Sequence, residues 1–352
     1  MLLSPLPRLH VQLAVLAAFC CASNVAQATE SATSFYLLGS KGSMAGYTPM
    51  PGTYVSDSNY FYAGSAAGKA ALGVTLPRTG ARDSNGVSLN VNASINVDGQ
   101  AYYNIPTAVW VAPGQVLGGN FGLSLSTPIG WKSVNAGVDA VASLTIPALS
   151  QTLSIGAHRS LTDSRGGFGD PILGAFIGWH QGNLHWNVGT LINVPIGVWD
   201  TGRLANIGFN HWAFDFTGAV TYLDLKTGVE LSAAAGVTFN TENTATDYKS
   251  GTDFHLELAA MQNFSKQLAI GVTGYHYQQL TGDSGAGAKL GDFKGRVSAI
   301  GPQLNYTIMA GQLPIMTSIK WMHEFNVENR LKGDMGLLQV TIPFGPPPAA
   351  RK

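Results

Sequence analysis

Seven ionisable side chains stand in segments that otherwise alternate between apolar and polar residues. Imidazole, carboxylate and ammonium groups that face one passage could form a polar track or a constriction that binds a solute. Polar residues are also the default lining of a barrel interior, so the same set could simply keep a lumen hydrated. The candidate lumen or solute-binding residues are His185, Asp215, Glu230, His255, Glu257, Lys320 and Glu324.

Two pairs among these seven residues share a strand face, and each pair is a candidate for catalysis or metal binding. His255 and Glu257 are two residues apart, and Lys320 and Glu324 are four apart. Each pair could act as an acid and a base, or contribute to a metal site. Neither pair belongs to a cluster with the density of ligands that a metal centre needs. The sequence therefore predicts no catalytic residue, no cofactor and no metal, and we expect a protein that is not an enzyme.

The segments that carry these residues have the period of β-strands. Residues 211–223 and 228–239 each set an apolar face against a polar one, and residues 87–98 alternate apolar side chains with Ser, Asn and Asp. Alternation of this kind predicts strands with two different faces. Asparagine is depleted in ordinary strands, and a wet lumen would accept it. The last such segment, 335–344, ends in an aromatic residue, as do the terminal strands that the barrel-assembly machinery recognises, although residues 345–352 follow it.

The spacing of turns predicts how the strands are connected. Tight turns centred near Gly182, Lys226, Ser265 and Gly311 alternate with long polar connections. These connections are residues 196–210, 240–252, 281–293 and 326–333. Short periplasmic turns and long extracellular loops are typical of outer-membrane barrels. An open sheet edge would leave backbone groups unpaired in lipid, so the strands must close into a barrel.

The expected fold is therefore all-β, a closed antiparallel transmembrane β-barrel of about 12–14 strands. Strands near 54–63, 100–112, 119–128 and 134–146 complete the number. Aromatic residues near strand ends suit the girdles of such a barrel at the two membrane interfaces. The girdle candidates are Trp179, Trp186, Trp212, Tyr222, Tyr275, Tyr277 and Trp321.

The first 28 residues have the order of a bacterial signal peptide. An apolar run from Val11 to Ala22 precedes Ala26-Gln27-Ala28, which predicts cleavage after Ala28 and export to the outer membrane. Both cysteines, Cys20 and Cys21, lie in this segment. The whole chain has 20 basic and 20 acidic residues, so no basic surface for nucleic acid is expected.

Three further ranges divide the rest of the chain. Residues 29–52 are rich in glycine and proline around the apolar group at 35–38. This segment could fold into the barrel as a plug, or remain in the periplasm as a tail that seals the first strand. Residues 53–344 would form the barrel, and 345–352 a C-terminal tail.

Three stretches together resemble a known family. They are FYLLGSKGSMAGYTPMPGTY at 35–54, GFGDPILGAFIGWHQGNLHWNVGTLINVPIG at 167–197, and the region from NTENTATDYKSG to GYHYQQLTGDSGAG within 240–287. They are similar to the bacterial outer-membrane family named for the meta-pathway of phenol degradation. The resemblance implies an outer-membrane barrel associated with uptake of aromatic or other hydrophobic compounds. The identity of the solute does not follow from the fold.

These patterns predict a channel for passive uptake of small hydrophobic or aromatic compounds. An alternative is a sealed barrel that acts as a surface receptor or structural protein, and a third is a soluble secreted β-sandwich. Expected partners are outer-membrane lipid, the barrel-assembly machinery and the solute itself, with no nucleic acid. The sequence predicts no oligomeric state.

Overall fold

The computed structural model describes residues 34–76, 87–146, 150–288 and 294–344. The predicted signal peptide and the tail 345–352 lie outside these residues. The described chain forms fourteen strand segments, and none of its helices is long and apolar enough to cross a membrane. The segments are β1 (Gly52–Leu76), β2 (Val87–Val116), β3 (Gly119–Ser126), β4 (Ile129–Ile146), β5 (Gln151–Phe168), β6 (Ile172–Gln181), β7 (Leu184–Asn193), β8 (Ala213–Leu223), β9 (Val229–Asn240), β10 (Asp253–Asn263), β11 (Leu268–Gln279), β12 (Arg296–Ala310), β13 (Leu313–Glu328) and β14 (Lys332–Phe344).

One antiparallel sheet closes on itself through β1, which pairs with β14 on one side and with β2 on the other. The fourteen described segments form a wall of twelve strands. β3 and β4 are two parts of one wall strand, and β5 and β6 are two parts of the next, so that β3 pairs with β6 and β4 pairs with β5. The expectation of a closed antiparallel barrel is confirmed. Counts above twelve arise when the sequence patterns at 87–98 and 100–112 are taken as two strands, since both belong to β2. They also arise when 119–128 and 134–146 are counted separately, since β3 and β4 are parts of one wall strand.

The outer face of the wall is apolar. Leu231, Leu258, Val272, Ile300 and Ile319 are each about half exposed, and they occupy the outward positions of β9 to β13. A continuous apolar belt of this kind would be unfavourable in water and is favourable against lipid chains. The belt is the outer surface of a transmembrane barrel.

Tight turns gather at one end of the barrel, which we call the turn end. Gly182 and Gly311 take the left-handed backbone there, with φ of 58° and 64°, a conformation that glycine adopts without steric cost. In the turn between β8 and β9, the Asp224 carboxylate accepts hydrogen bonds from the Lys226 N–H and the Thr227 hydroxyl, and these bonds lower the pKa of Asp224. The longer connections lie at the opposite end, the loop end.

The third and fourth strands of the wall are each kinked, at adjacent places. Residues 127–128 separate β3 from β4, and residues 169–171 separate β5 from β6. The Thr127 N–H donates to the Pro106 carbonyl, and the Gly169 N–H donates to the Pro128 carbonyl, so the kinks stack beside each other. The Gly-Asp-Pro sequence at 169–171 forms a break within the wall. Proline interrupts the ladder here because it has no N–H to donate.

The barrel interior contains an apolar cluster as well as polar groups. Tyr275 and Tyr277 are buried in it, so the expectation that these two belong to an interfacial girdle is wrong. Trp212, Tyr222 and Trp321 do lie on the outer face, each about half exposed. The members of the inner cluster are Tyr36, Leu38, Tyr275, Tyr277, Val297, Ala299, Met322, Met335 and Leu337.

Candidate functional site: the barrel lumen

Residues 34–51, which we call the N-terminal segment, lie inside the barrel. Lys320 on β13 donates through Nζ to the carbonyls of Gly39 (3.0 Å), Ser40 (3.5 Å) and Lys41. Glu257 on β10 accepts from the Tyr36 hydroxyl at 2.8 Å and from the Gly39 N–H at 3.2 Å. A positive wall side chain therefore binds carbonyl oxygens of the segment, and a negative one binds an N–H and a hydroxyl group of it.

A second group of contacts holds the segment nearer the turn end. Glu230 accepts from the Ser43 hydroxyl (3.0 Å) and the Met44 N–H (2.7 Å). The Thr221 hydroxyl oxygen accepts from the Gly46 N–H at 2.9 Å. Asn187 donates through Nδ2 to the Ala45 carbonyl at 2.9 Å. Buried backbone groups need such partners, because an unpaired one costs about as much as a lost hydrogen bond.

The segment also approaches the wall backbone more closely than a side chain would allow. A Cβ added at Gly46 would lie 2.5 Å from the Thr221 amide nitrogen and 2.6 Å from the His185 carbonyl oxygen. On the wall, a Cβ at Gly178 would lie 1.9 Å from the Thr48 hydroxyl oxygen. Glycine at these two positions permits the contact between segment and wall.

A buried histidine and aspartate support the middle of the segment. His255 Nε2 lies 2.7 Å from Asp215 Oδ2, and the imidazole stacks on the Tyr36 ring with centroids 3.5 Å apart. Asp215 also accepts from the hydroxyls of Thr217 (2.5 Å) and Thr238 (2.8 Å). Asp215 thus fixes the orientation of the ring on which Tyr36 lies.

All seven candidate residues are buried on the inner face of the wall. Lys320, Glu257 and Glu230 bond directly to the segment, and His255 stacks on it while Asp215 holds His255. His185, near the turn end, has its Nδ1 2.7 Å from His180 Nδ1 and its ring beside Tyr47 of the segment. Glu324 lies apart, towards the loop end.

A cavity of about 150 Å³, which we call the chamber, lies between the N-terminal segment and the loop end. Glu324 borders it and accepts from the hydroxyls of Tyr275 (2.7 Å) and Tyr62 (2.8 Å) and from the Gly333 N–H (2.8 Å). The aromatic residues that line the chamber are Phe35, Tyr36, Tyr60, Tyr62, Tyr103, Phe209 and Tyr275. Lys132, Asp170 and Arg330 also line it.

Asp170 lines the chamber, and strand alternation could not indicate it because it lies in the kink rather than in a strand. Its carboxylate accepts from Asn193 Nδ2 (2.9 Å), from the Gly197 N–H (2.7 Å) and from the Phe209 N–H (2.8 Å). It thereby ties the connection 194–212 to the chamber wall. Tyr60 and Tyr62 occupy alternate positions of β1, and that alternation is a signal from which they could have been found.

The described chain resembles solved barrels in its fold. An outer membrane channel from Pseudomonas putida F1 superposes with a TM-score of 0.55 at 14% identity, over 88% of this chain and 100% of the other. Two other outer-membrane proteins superpose less well. A FadL homologue from Pseudomonas aeruginosa has 0.37 at 10% identity, over 86% and 93% of the two chains, and the CymD monoaromatic hydrocarbon channel has 0.38 at 8%, over 85% and 90%.

Among curated proteins, none matches this chain significantly. A sequence family does match, over residues 78–339, which is most of the chain and includes every wall strand from β2 to β13. The chain belongs to the family described as "Putative MetA-pathway of phenol degradation".

Proposed function

We propose that this protein is an outer-membrane channel for passive uptake of small hydrophobic or aromatic compounds. The observation that carries the proposal is the chamber, an aromatic-lined cavity inside a lipid-facing barrel. Small-molecule sites in proteins are concave, mostly apolar, and oriented by a few polar groups. The chamber has this composition, and the barrel wall offers it a route across the membrane.

In this proposal the loop end faces the cell exterior and the turn end the periplasm, as is usual for outer-membrane barrels. A solute enters between the loops and is held briefly by the tyrosine rings. It then moves down its concentration gradient, and neither ATP nor a redox cofactor takes part. Selectivity comes from the lining of the passage.

The N-terminal segment acts in this proposal as a plug beneath the chamber. Its hydrogen bonds to Lys320, Glu257 and Glu230 cross the lumen, so a solute can pass only when part of the segment moves. Each bond contributes a modest net amount, about 0.5–3 kcal/mol. A segment held by several such bonds is ordered at rest and can still be displaced locally.

The alternative, a sealed barrel that serves as a receptor or structural protein, is favoured by the same bonds. If the segment never moves, the lumen stays closed and only the loops can bind a partner. The two proposals differ in one measurable property, the flux of solute through the folded barrel.

The test is solute uptake into vesicles that contain purified, correctly folded protein. The outer leaflet should contain lipopolysaccharide, which slows direct permeation of apolar solutes. We expect toluene to enter faster than in protein-free vesicles, and large sugars to enter no faster. Equal entry of every small solute would indicate a general porin. If the protein forms a heat-modifiable barrel and no solute enters faster than in protein-free vesicles, the channel proposal is contradicted and the sealed barrel is supported.

A further inference from the structure

The chamber is the size of one aromatic ring. Its volume is about 150 Å³, and an apolar cavity of roughly 150 Å³ in another protein holds a benzene molecule. A fused two-ring compound needs more space than this. The occupant that fits without rearrangement is therefore monocyclic.

The walls of the chamber present aromatic faces, and three of the tyrosines there have hydroxyl groups that are already engaged. The hydroxyls of Tyr62 and Tyr275 donate to Glu324, and that of Tyr36 donates to Glu257. These three rings are thereby held in fixed positions beside the cavity. Aromatic pairs in offset or edge-to-face contact gain about 0.5–1.5 kcal/mol beyond their area burial, so a ring-shaped ligand is preferred over a chain of equal volume.

The chamber lining contains polar groups that have no partner among the described residues, including the amide oxygen of Asn193 and the ammonium of Lys132. Lys132 on β4 is only 6% exposed, and within the described ranges no hydrogen-bond acceptor or carboxylate contacts its ammonium. A buried ammonium without an acceptor is costly, and protein interiors normally pair such a charge. The free donors of Lys132 are therefore available to a ligand.

The acidic groups of the chamber form their hydrogen bonds with residues other than Lys132. Glu324 and Asp170 each accept three hydrogen bonds from other residues. Arg330, the other cation of the lining, lies over the Tyr277 ring at 4.2 Å and has the carboxylates of Glu324 and Asp253 near it. In the described part of the chain, Lys132 therefore has no counter-charge in contact, and unlike Arg330 it has no carboxylate among its electrostatic neighbours.

We infer that the chamber binds a monocyclic aromatic carboxylate, with the ring among the tyrosines and the carboxylate on Lys132. A carboxylate supplies the acceptor and the charge that an ammonium needs, and a charge-assisted bond is about twice as strong as a neutral one. The inference deepens the proposed function by naming the solute class of the same chamber. Binding can be measured separately from transport, so the two can fail independently.

The test is titration of the purified, folded barrel with benzoate, followed by tyrosine and tryptophan fluorescence and by calorimetry. The variants are Lys132→Met, Lys132→Arg and Lys266→Met, of which the last removes an exposed lysine from a turn. We expect benzoate affinity to fall at least about tenfold in Lys132→Met, as for loss of a hydrogen bond to a charged group. Lys132→Arg should retain most of the affinity, and Lys266→Met should equal the unmodified protein.

Two further ligands test the shape of the site. Cyclohexanecarboxylate keeps the charge without the aromatic ring, and 1-naphthoate keeps both but adds a second ring. Each should bind more weakly than benzoate. The inference is overturned if benzoate does not bind the folded barrel, if Lys132→Met binds it as well as the unmodified protein, or if phenol binds as tightly as benzoate. In vesicles, toluene entry without benzoate binding would overturn this inference alone, whereas benzoate binding without any entry would overturn the channel alone.

Discussion

At the scale of single residues, the lumen is organised by donors and acceptors that reach across it. Lys320 donates to carbonyl groups and Glu257 accepts from Tyr36 and Gly39, so both charges act on one short stretch of backbone. Strand alternation placed both side chains inside the barrel. It could not predict their partners, because those lie more than 200 positions away in a segment that has no strand pattern.

The contact at Gly46 leads to a prediction about a single methyl group. Gly46→Ala would place a carbon 2.5 Å from the Thr221 amide nitrogen, so the N-terminal segment must shift away from the wall. We expect a folded barrel with higher ion conductance in planar bilayers. Gly114→Ala is the matched control, since nothing lies within 4 Å of its added carbon. Equal conductance in both variants and the unmodified protein would show that this contact does not close the lumen.

At the scale of elements, the strands and tight turns followed from the sequence, and the kinks did not. The alternation at 211–223 and 228–239 corresponds to β8 and β9, and the turn residues Gly182 and Gly311 lie where they were expected. Glycine and proline at 169–171 cannot by themselves distinguish a kink in a strand from the end of a loop, because these residues mark both kinds of break. The pairing of β3 with β6 and of β4 with β5 identifies this break as a kink within a wall strand.

The Asp170 contacts predict how the connection 194–212 responds to mutation. Asp170→Asn replaces an acceptor oxygen by a donor that faces N–H groups, which costs about 1–3 kcal/mol or more for a buried charged acceptor. We expect faster tryptic cleavage after Arg203, which lies in this connection, while the barrel remains heat-modifiable.

Asp200→Asn is the control on the same connection, because Asp200 contacts Arg165 in a solvent-exposed ion pair, and such pairs contribute little. Cleavage of Asp170→Asn at the rate of Asp200→Asn would mean that Asp170 does not hold the connection in place.

At the scale of the whole molecule, the outer belt faces lipid, whereas the interior is filled by the N-terminal segment of the same chain. The belt requires lipid, and the wall can satisfy all its backbone groups there because the sheet is closed. The N-terminal segment fills the interior from the floor of the chamber, near the loop end, to Gly46 near the turn end. Sequence periodicity predicted the belt well. It left open whether residues 29–52 enter the barrel, because a short segment rich in glycine and proline has no period that reveals its position.

The measurement that tests the account most directly is the single-channel conductance of the protein with and without residues 34–50. The account predicts that the deletion variant folds into a heat-modifiable barrel with clearly higher conductance. A synthetic peptide of sequence 34–50 should lower that conductance again, and a scrambled peptide should not. Unchanged conductance in a correctly folded deletion variant would contradict the claim that the N-terminal segment controls passage through this barrel.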